Sequence, residues 1–161
     1  MTLEELAHTL PSGFHDSALK GLSIDYERRT LQLNVSLKVG DPDGPREQRD
    51  DIRDAEVEIY GVVFFVIDPP CPDPAYDFVS AGEVWIGDGC ETRSIPKFTE
   101  GINAKLLNAV PEGAFVQSFF VHDWNSFVHV AARDCAIKWL GVARHYKGPR
   151  QILYPGEMVD L

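Results

Sequence analysis

Hydrophobic and polar residues alternate strictly along residues 30–40, TLQLNVSLKVG, where every second residue is Leu or Val. A period of two is typical of a half-buried strand, usually in an antiparallel sheet. Residues 18–26 carry Leu, Ile and Tyr at the same period. The letters ERRT between the two segments predict a hairpin turn.

The remaining hydrophobic segments also favour strands. Residues 55–68 begin with alternation and then become wholly apolar, and Gly61 between the two parts predicts a bulge or bend. A short strand is expected within residues 82–89, and another around residues 101–107. The segments AFVQSFFVH, SFVHVAA and CAIKWLG, separated by DWN and RD, predict a tight meander.

Two segments break this pattern. The first ten residues predict a short helix, with Thr2 as N-cap and Glu5 completing a capping box. Residues 40–54 are polar and predict a solvated loop. Their carboxylates do not have the EF-hand spacing of ligands, so no calcium site is expected.

Strands dominate, and neither a fixed repeat nor an alternation of strands with helices is present. The sequence therefore predicts a mainly β fold, an antiparallel β-sandwich or open barrel of about eight to ten strands with a short N-terminal helix. The 161 residues, 44% of them hydrophobic, predict a single domain. Its core would span about residues 10–141, and residues 142–161 would form a C-terminal tail that starts basic.

Charge narrows the classes of partner. The formal net charge of -10 predicts repulsion from nucleic acid and from anionic lipid, so neither is an expected partner. The same charge is typical of a soluble protein and is also complementary to a basic partner protein, and charge alone does not separate these two interpretations. No apolar run reaches the roughly 18 to 20 residues of a membrane span, and the first residues lack a signal-peptide pattern. We therefore expect a cytoplasmic protein.

Three cysteines, Cys71, Cys90 and Cys135, are too few and too widely spaced for a disulfide framework or a zinc knuckle. Reduced thiols fit the expected compartment. No cysteine has a histidine close in sequence, so none is assigned a catalytic role.

The segment FFVHDWNSFVHVAA, residues 119–132, concentrates candidate chemistry. A hairpin turn centred between Trp124 and Asn125 would make His122 and His129 diagonal neighbours on one face, where they could bind zinc. A turn centred on Asn125 would instead place Asp123 beside His129 and orient its imidazole. The sequence leaves both registers open.

A second His-Asp pair, His15 and Asp16, lies in GFHDS. Adjacent residues of a strand point to opposite faces, so both side chains could join one site only on a loop or bulge, which the preceding Pro and Gly permit. If this loop meets the hairpin, His15, His122 and His129 could bind a metal, with Asp16 or Asp123 as ligand or base. A metal-dependent hydrolase is the functional alternative that follows.

A structural interpretation competes with this site and is favoured. Asp and Asn in turns bind backbone groups, and a Trp at a hairpin end covers the edge of a core. A His among Phe and Val is usually a core residue with one hydrogen bond. Motifs for nucleotide binding, metalloprotease and serine-hydrolase chemistry are missing, so no catalytic residue and no cofactor are expected.

The combination LPSGFHDSALKGLSIDYERRTLQL, AEVEIYGVVFFVIDPP and FFVHDWNSFVHVAA resembles a group of small bacterial β-rich proteins without assigned function. The resemblance covers about residues 10–141 and implies no catalytic residue. In size, charge and β content the chain is also similar to immunity proteins that neutralise bacterial toxins.

We expect a non-enzymatic interaction module that binds another protein, possibly a basic toxin, through an acidic surface or an open sheet edge. A metal-dependent hydrolase and a carrier with a small-ligand pocket inside the sandwich are the alternatives. Strand edges at the C-terminus would also permit a homodimer, although nothing in the sequence shows one. The candidate binding residues are His15, Asp16, His122, Asp123, Trp124, Asn125 and His129.

Overall fold

A computed structural model describes residues 1–69, 84–91, 102, 104–124 and 126–146, without the side chains of residues 46, 87–91 and 123. Within these residues the chain forms short helices and antiparallel strands. The helices are α1 (Leu3–His8), α2 (Arg46–Arg49) and α3 (Ala104–Asn108). The strands are β1 (Ser17–Asp25), β2 (Thr30–Lys38), β3 (Asp51–Tyr60), β4 (Phe64–Ile67), β5 (Trp85–Glu91), β6 (Phe115–Val121), β7 (Ser126–Ala132) and β8 (Asp134–His145).

The strands form one sheet in the order β4-β7-β6-β5-β1-β2-β3-β8. Every pairing is antiparallel, as alternation along the chain predicts. In the described part of the chain β4 and β8 end the sheet and do not pair, so the sheet is not closed. The predicted mainly β fold, a sandwich or open barrel with a short N-terminal helix, is confirmed.

One face of the sheet, here called the inner face, encloses the main core. The apolar residues of β2 that alternate in the sequence are all buried, and Leu31 and Leu37 are fully buried. Residues of β6 and β7, such as Phe119 and Val130, belong to the same hydrophobic cluster. The sheet therefore curls so that its two halves pack against each other.

Helix α1 adds apolar residues to this core. Its predicted capping box is present, because the Glu5 N–H donates to the Thr2 hydroxyl at 3.0 Å and the Thr2 N–H donates to the Glu5 carboxylate at 2.7 Å. Leu3 and Leu6 are fully buried in the main core. A helix of only 6 residues is held in place chiefly by this packing.

The chain passes between the sheet's halves at Gly61 and at Arg133. Gly61 has φ +61°, and a Cβ at this position would lie 3.2 Å from the Arg133 Cβ. The Arg133 N–H donates to the Tyr60 carbonyl at 3.0 Å, which ties the two crossings together. The bend predicted at Gly61 is confirmed.

The predicted three-strand meander is wrong, because β8 leaves β7 and pairs with β3 at the opposite end of the sheet. Two further local predictions are wrong. Instead of a strand around residues 101–107, α3 spans Ala104–Asn108, and its Leu106 and Leu107 pack on the other face of the sheet, here called the outer face. The predicted loop of residues 40–54 contains α2, and β3 already begins at Asp51. Charged residues at the start of β3 resemble a loop in sequence, but Asp54 forms ion pairs with Lys20 of β1 at 2.8 Å and with Arg144 of β8 at 3.2 Å.

The end of the sheet also differs from the predicted boundary. Strand β8 continues to His145, beyond the core limit expected near residue 141. Its register shifts between Ile52 and Asp54 of β3, and Gly141 has φ +61°. The rest of the predicted tail, residues 147–161, lies outside the described residues.

Candidate functional site

The β6–β7 hairpin has neither of the two registers that its sequence allowed. Val121 pairs with Ser126, and Ser118 pairs with His129. His122–Trp124 form a 3₁₀ turn, so the connection is longer than both predictions assumed. This turn removes His122 from the strand and separates it from His129. Asn125 and the side chain of Asp123 lie outside the described part.

His129 is buried on the outer face, with 1% of its surface exposed. Its Nδ1 lies 2.6 Å from the Ser118 hydroxyl oxygen, and its ring stacks on Phe127 at 5.5 Å. Burial lowers the pKa of the His129 imidazole, and the negative charge of Asp68 opposes this shift. The ring is therefore neutral at pH 7, and its other nitrogen, Nε2, has no hydrogen-bond partner within the described residues.

Ser118 and His129 have the composition of a nucleophile and its base. Ser118 is only 2% exposed, however, so a substrate carbonyl has no path to its hydroxyl in this conformation. A buried hydroxyl and imidazole that satisfy each other are what the structural interpretation of His129 expects. The geometry supports packing rather than nucleophilic catalysis.

The two described side chains of the turn, Trp124 and His122, contact apolar and aromatic side chains. Trp124 is partly buried and packs against the main core, as expected for a Trp at a hairpin end. The His122 ring lies edge-on to Phe120, with ring centres 6.0 Å apart. The hairpin end is thus anchored by aromatic contacts.

The His15–Asp16 pair lies on a turn before β1, which is the placement that a shared site would require. Asp16 has φ 57°, and the His15 Nδ1 lies 3.0 Å from its carboxylate. The Asp16 N–H donates to the Ile86 carbonyl at 3.1 Å, and Ile86 pairs with Val121, the residue before His122. The two motifs therefore lie on either side of β5.

The predicted metal ligands do not form one metal-binding group. Over the described residues no three His, Cys, Asp or Glu side chains are arranged to hold a metal ion. His15, His122 and His129 are all described, so this trio is not assembled. The metal-dependent hydrolase therefore has no geometric support in this part of the chain.

Cys135 is buried against the main core, and burial raises the pKa of its thiol to about 11. The thiol is protonated at neutral pH and is a poor nucleophile. Cys71 and the side chain of Cys90 lie outside the described part.

A cleft opens at one end of the sheet, where residues 62–65 approach the β1–β2 turn. Its volume is about 270 Å³, and Ile24, Asp25, Tyr26 and Arg29 line the side formed by β1 and the turn. Arg29 has φ 54°, an uncommon conformation for a residue other than Gly, Asn or Asp. Sequence reasoning missed this cleft, because it depends on a contact between distant segments.

The outer edge of β4 is available within the described residues. Asp68 N–H donates to the Phe127 carbonyl at 2.9 Å, so the backbone of Asp68 points toward β7. Alternation in an antiparallel pair then points the N–H and C=O groups of Phe65 and Ile67 outward. Ile67 is also 44% exposed.

The edge of β8 is partly occupied. The Cys135 N–H donates to the Met1 carbonyl at 2.9 Å, and Arg53 Nε donates to the Gly141 carbonyl at 3.0 Å. The bulge around Gly141 bends the strand. Bulges and occupied backbone groups are the usual means of blocking strand addition.

The outer face of β3 carries carboxylates that are already paired. Burial opposes ionisation of Asp54, but hydrogen bonds from Lys20 and Ser36, with the nearby Arg144, lower its pKa to about 2. Glu56 lies 2.8 Å from the Lys138 ammonium. These pairs neutralise much of the local charge, so this face is not a concentrated acidic patch.

Among the helices of the described ranges, none has the length and apolar character required to cross a membrane.

Comparison with known proteins gives one distant structural likeness. No family model matches the chain, and no curated protein matches it. A crystal structure of an uncharacterised protein from Neisseria gonorrhoeae aligns with 79% of this chain and 94% of its own, at 10% identity and a TM-score of 0.37. A likeness of this level carries no argument about function.

Proposed function

We propose that this protein is a non-enzymatic interaction module, which binds another protein by adding an extended segment of the partner to the outer edge of β4. The observation that carries the proposal is the cleft of about 270 Å³ beside the first residues of this edge strand. Strand addition joins backbone hydrogen bonds, which give affinity, to side-chain pockets, which give selectivity.

The contrast between the two sheet edges supports β4. On β8, Met1 and Arg53 already bind backbone groups, and the strand is bent at Gly141. On β4, Phe65 and Ile67 present their backbone groups outward. The exposed Ile67 side chain adds an apolar contact next to these groups.

The charge of the whole chain supports a basic partner. At a net charge of -10, long-range attraction would accelerate encounter with a protein of opposite charge. A bacterial immunity protein in the cytoplasm, neutralising a basic toxin, has these properties. The stable complex with the partner would depend on strand addition at β4, and the rate of encounter would depend on the opposite charges of the two proteins.

The enzyme and the small-ligand carrier, which are the alternative functions, have less support from the geometry. The Ser118–His129 pair is buried, and the proposed metal ligands do not converge. A cavity within the core, next to Leu22 and Phe119, has a volume of only about 10 Å³. This volume is smaller than a metabolite requires, so it does not favour a small-ligand carrier.

The proposal is tested by capture of the partner from host extract with two matched variants. Ile67→Lys places a charge on the β4 edge, and Val142→Lys places the same charge on β8, where Val142 is 83% exposed. We expect Ile67→Lys to lose a protein that both the unaltered chain and Val142→Lys retain. Ile67→Pro, which removes one outward N–H, should have the same effect as Ile67→Lys.

Loss of capture with Val142→Lys alone would overturn the proposal in favour of β8. Capture that survives all three substitutions would overturn strand addition altogether. Light scattering of the purified chain tests whether a second copy of the chain occupies the β4 edge. A dimer that Ile67→Lys dissociates would overturn binding of a partner protein in favour of self-association.

A further inference from the structure

The β1–β2 turn places an arginine at the mouth of the cleft. Arg29 Nε donates to the Val62 carbonyl at 3.0 Å, and the Val62 N–H donates to the Arg29 carbonyl at 2.9 Å. These two bonds fix the turn against the segment that leads into β4. The guanidinium is thereby oriented beside the apolar wall.

Arg29 has unused binding capacity. Within the described residues its guanidinium makes one hydrogen bond and no ion pair, whereas a guanidinium has five N–H donors. Asp25 also lines the cleft, and its carboxylate accepts the backbone N–H of Arg28 at 2.9 Å and lies 3.8 Å from the Arg28 Nε. Among the described residues Asp25 forms no ion pair with Arg29. In an acidic chain, a cation with open donors beside an apolar cleft is complementary to an anion.

The backbone conformation of Arg29 also supports a binding role for this residue. A left-handed conformation at a residue other than Gly, Asn or Asp costs of order 1 kcal/mol, and such costs concentrate at ligand-binding positions. Glycine would relieve this cost at residue 29. The chain has arginine there, and its side chain reaches the cleft.

We propose that the cleft binds a carboxylate carried next to an apolar side chain. The apolar side chain occupies the space between Ile24 and residues 62–65, and Arg29 binds the carboxylate through its free N–H groups. The inference rests on the proposed function, since the ligand belongs to the extended segment that pairs with β4. The carboxylate is either the C-terminal group of that segment or an acidic side chain within it.

NMR titration with small probes tests this site without the partner. N-acetyl-leucine carries a free terminal carboxylate, and N-acetyl-leucinamide lacks it. N-acetyl-leucyl-aspartic acid α-amide has an amidated C-terminus and carries a free carboxylate on the aspartate side chain. We expect N-acetyl-leucine, the aspartate probe or both to shift the backbone amides of Arg29, Val62 and Phe65, with at least about tenfold weaker binding of the leucinamide. The stronger carboxylate probe identifies the source.

Arg29→Gly should weaken binding of the carboxylate probe about tenfold while keeping the fold, because glycine favours this conformation. Arg144→Ala removes the same charge elsewhere and should leave binding unchanged. Equal binding of all three probes, no binding at all, or equal loss in both variants would overturn the inference. Ile67→Lys would still abolish partner capture in that event, so the proposed function is judged separately.

Discussion

At the scale of single residues, His129 illustrates how one side chain is placed by its neighbours. It is buried on the outer face, bonded to Ser118 and stacked on Phe127. Its sequence neighbours, Val128 and Val130, indicate burial on their own. The identity of its partner depends on the hairpin register, which sequence does not determine, so Ser118 was not predicted.

Replacing Ser118 by Ala should destabilise the protein by about 1–3 kcal/mol, because the His129 Nδ1 would be left buried without its partner. Ser126→Ala is the matched control, since Ser126 is equally buried but its hydroxyl has no partner in the described residues. Urea unfolding measures both. Equal losses of stability in the two variants would contradict this role for the Ser118–His129 bond.

The same residue predicts a pH dependence of stability. Burial lowers the His129 pKa from its ordinary value of 6.5, so on acidification the unfolded chain takes up the proton first. The stabilisation is complete above pH 6.5 and is lost as pH falls, by up to about 1.4 kcal/mol per pH unit until His129 in the folded protein is protonated.

Urea unfolding at several pH values between about 7.5 and 5 would show this slope. His129→Gln should flatten it. A slope that persists in His129→Gln would assign it to another group.

At the scale of elements, the crossings between the two halves of the sheet determine how the strands pack. Gly61 and Gly141 both have φ +61°, but they differ in surroundings. Arg133 atoms lie within 3.2 Å of a Cβ at Gly61, whereas nothing lies within 4 Å of one at Gly141. Substitutions at these two glycines therefore separate the free-energy cost of the backbone conformation from the free-energy cost of steric crowding.

Gly141→Ala should therefore destabilise the protein by about 1 kcal/mol, the conformational cost alone. Gly61→Ala should cost at least about 1 kcal/mol more, since Arg133 must also move. Thermal or urea unfolding of both variants measures the difference. Equal costs would show that Arg133 yields freely and that the crossing at Gly61 is not crowded.

Elements also show where sequence reasoning succeeds and where it fails. β2 was predicted from strict alternation, and α1 from its capping box, because both signals are local. The registers predicted for the β6–β7 hairpin were wrong, since a 3₁₀ turn at His122–Trp124 changed the length of the connection. The helix α3 was missed because its apolar side is defined by packing on the outer face.

At the scale of the whole molecule, charge and the open edge would act on different steps of the proposed association. The net charge of -10 would affect encounter, and strand addition at β4 would affect the lifetime of the complex. The cleft belongs to this scale too, because β1 and β4 meet only in the folded chain. No local pattern in the sequence indicates it.

Salt should separate these steps. Raising ionic strength from about 0.1 M to about 1 M shortens the Debye length from about 10 Å to about 3 Å. We expect the association rate with the captured partner to fall at least about tenfold, with a smaller change in the dissociation rate. Surface-based binding kinetics measure both rates, and a salt-independent association rate would contradict a basic partner.

Hydrogen exchange of the complex locates the docking strand most directly. In the free protein, the outward N–H groups of Phe65 and Ile67 should exchange rapidly, and binding of the partner should slow their exchange. The outward N–H groups of Ile137 and Trp139 on β8 should be unchanged. Protection confined to β8, or none on β4 in a saturated complex, would contradict strand addition at β4.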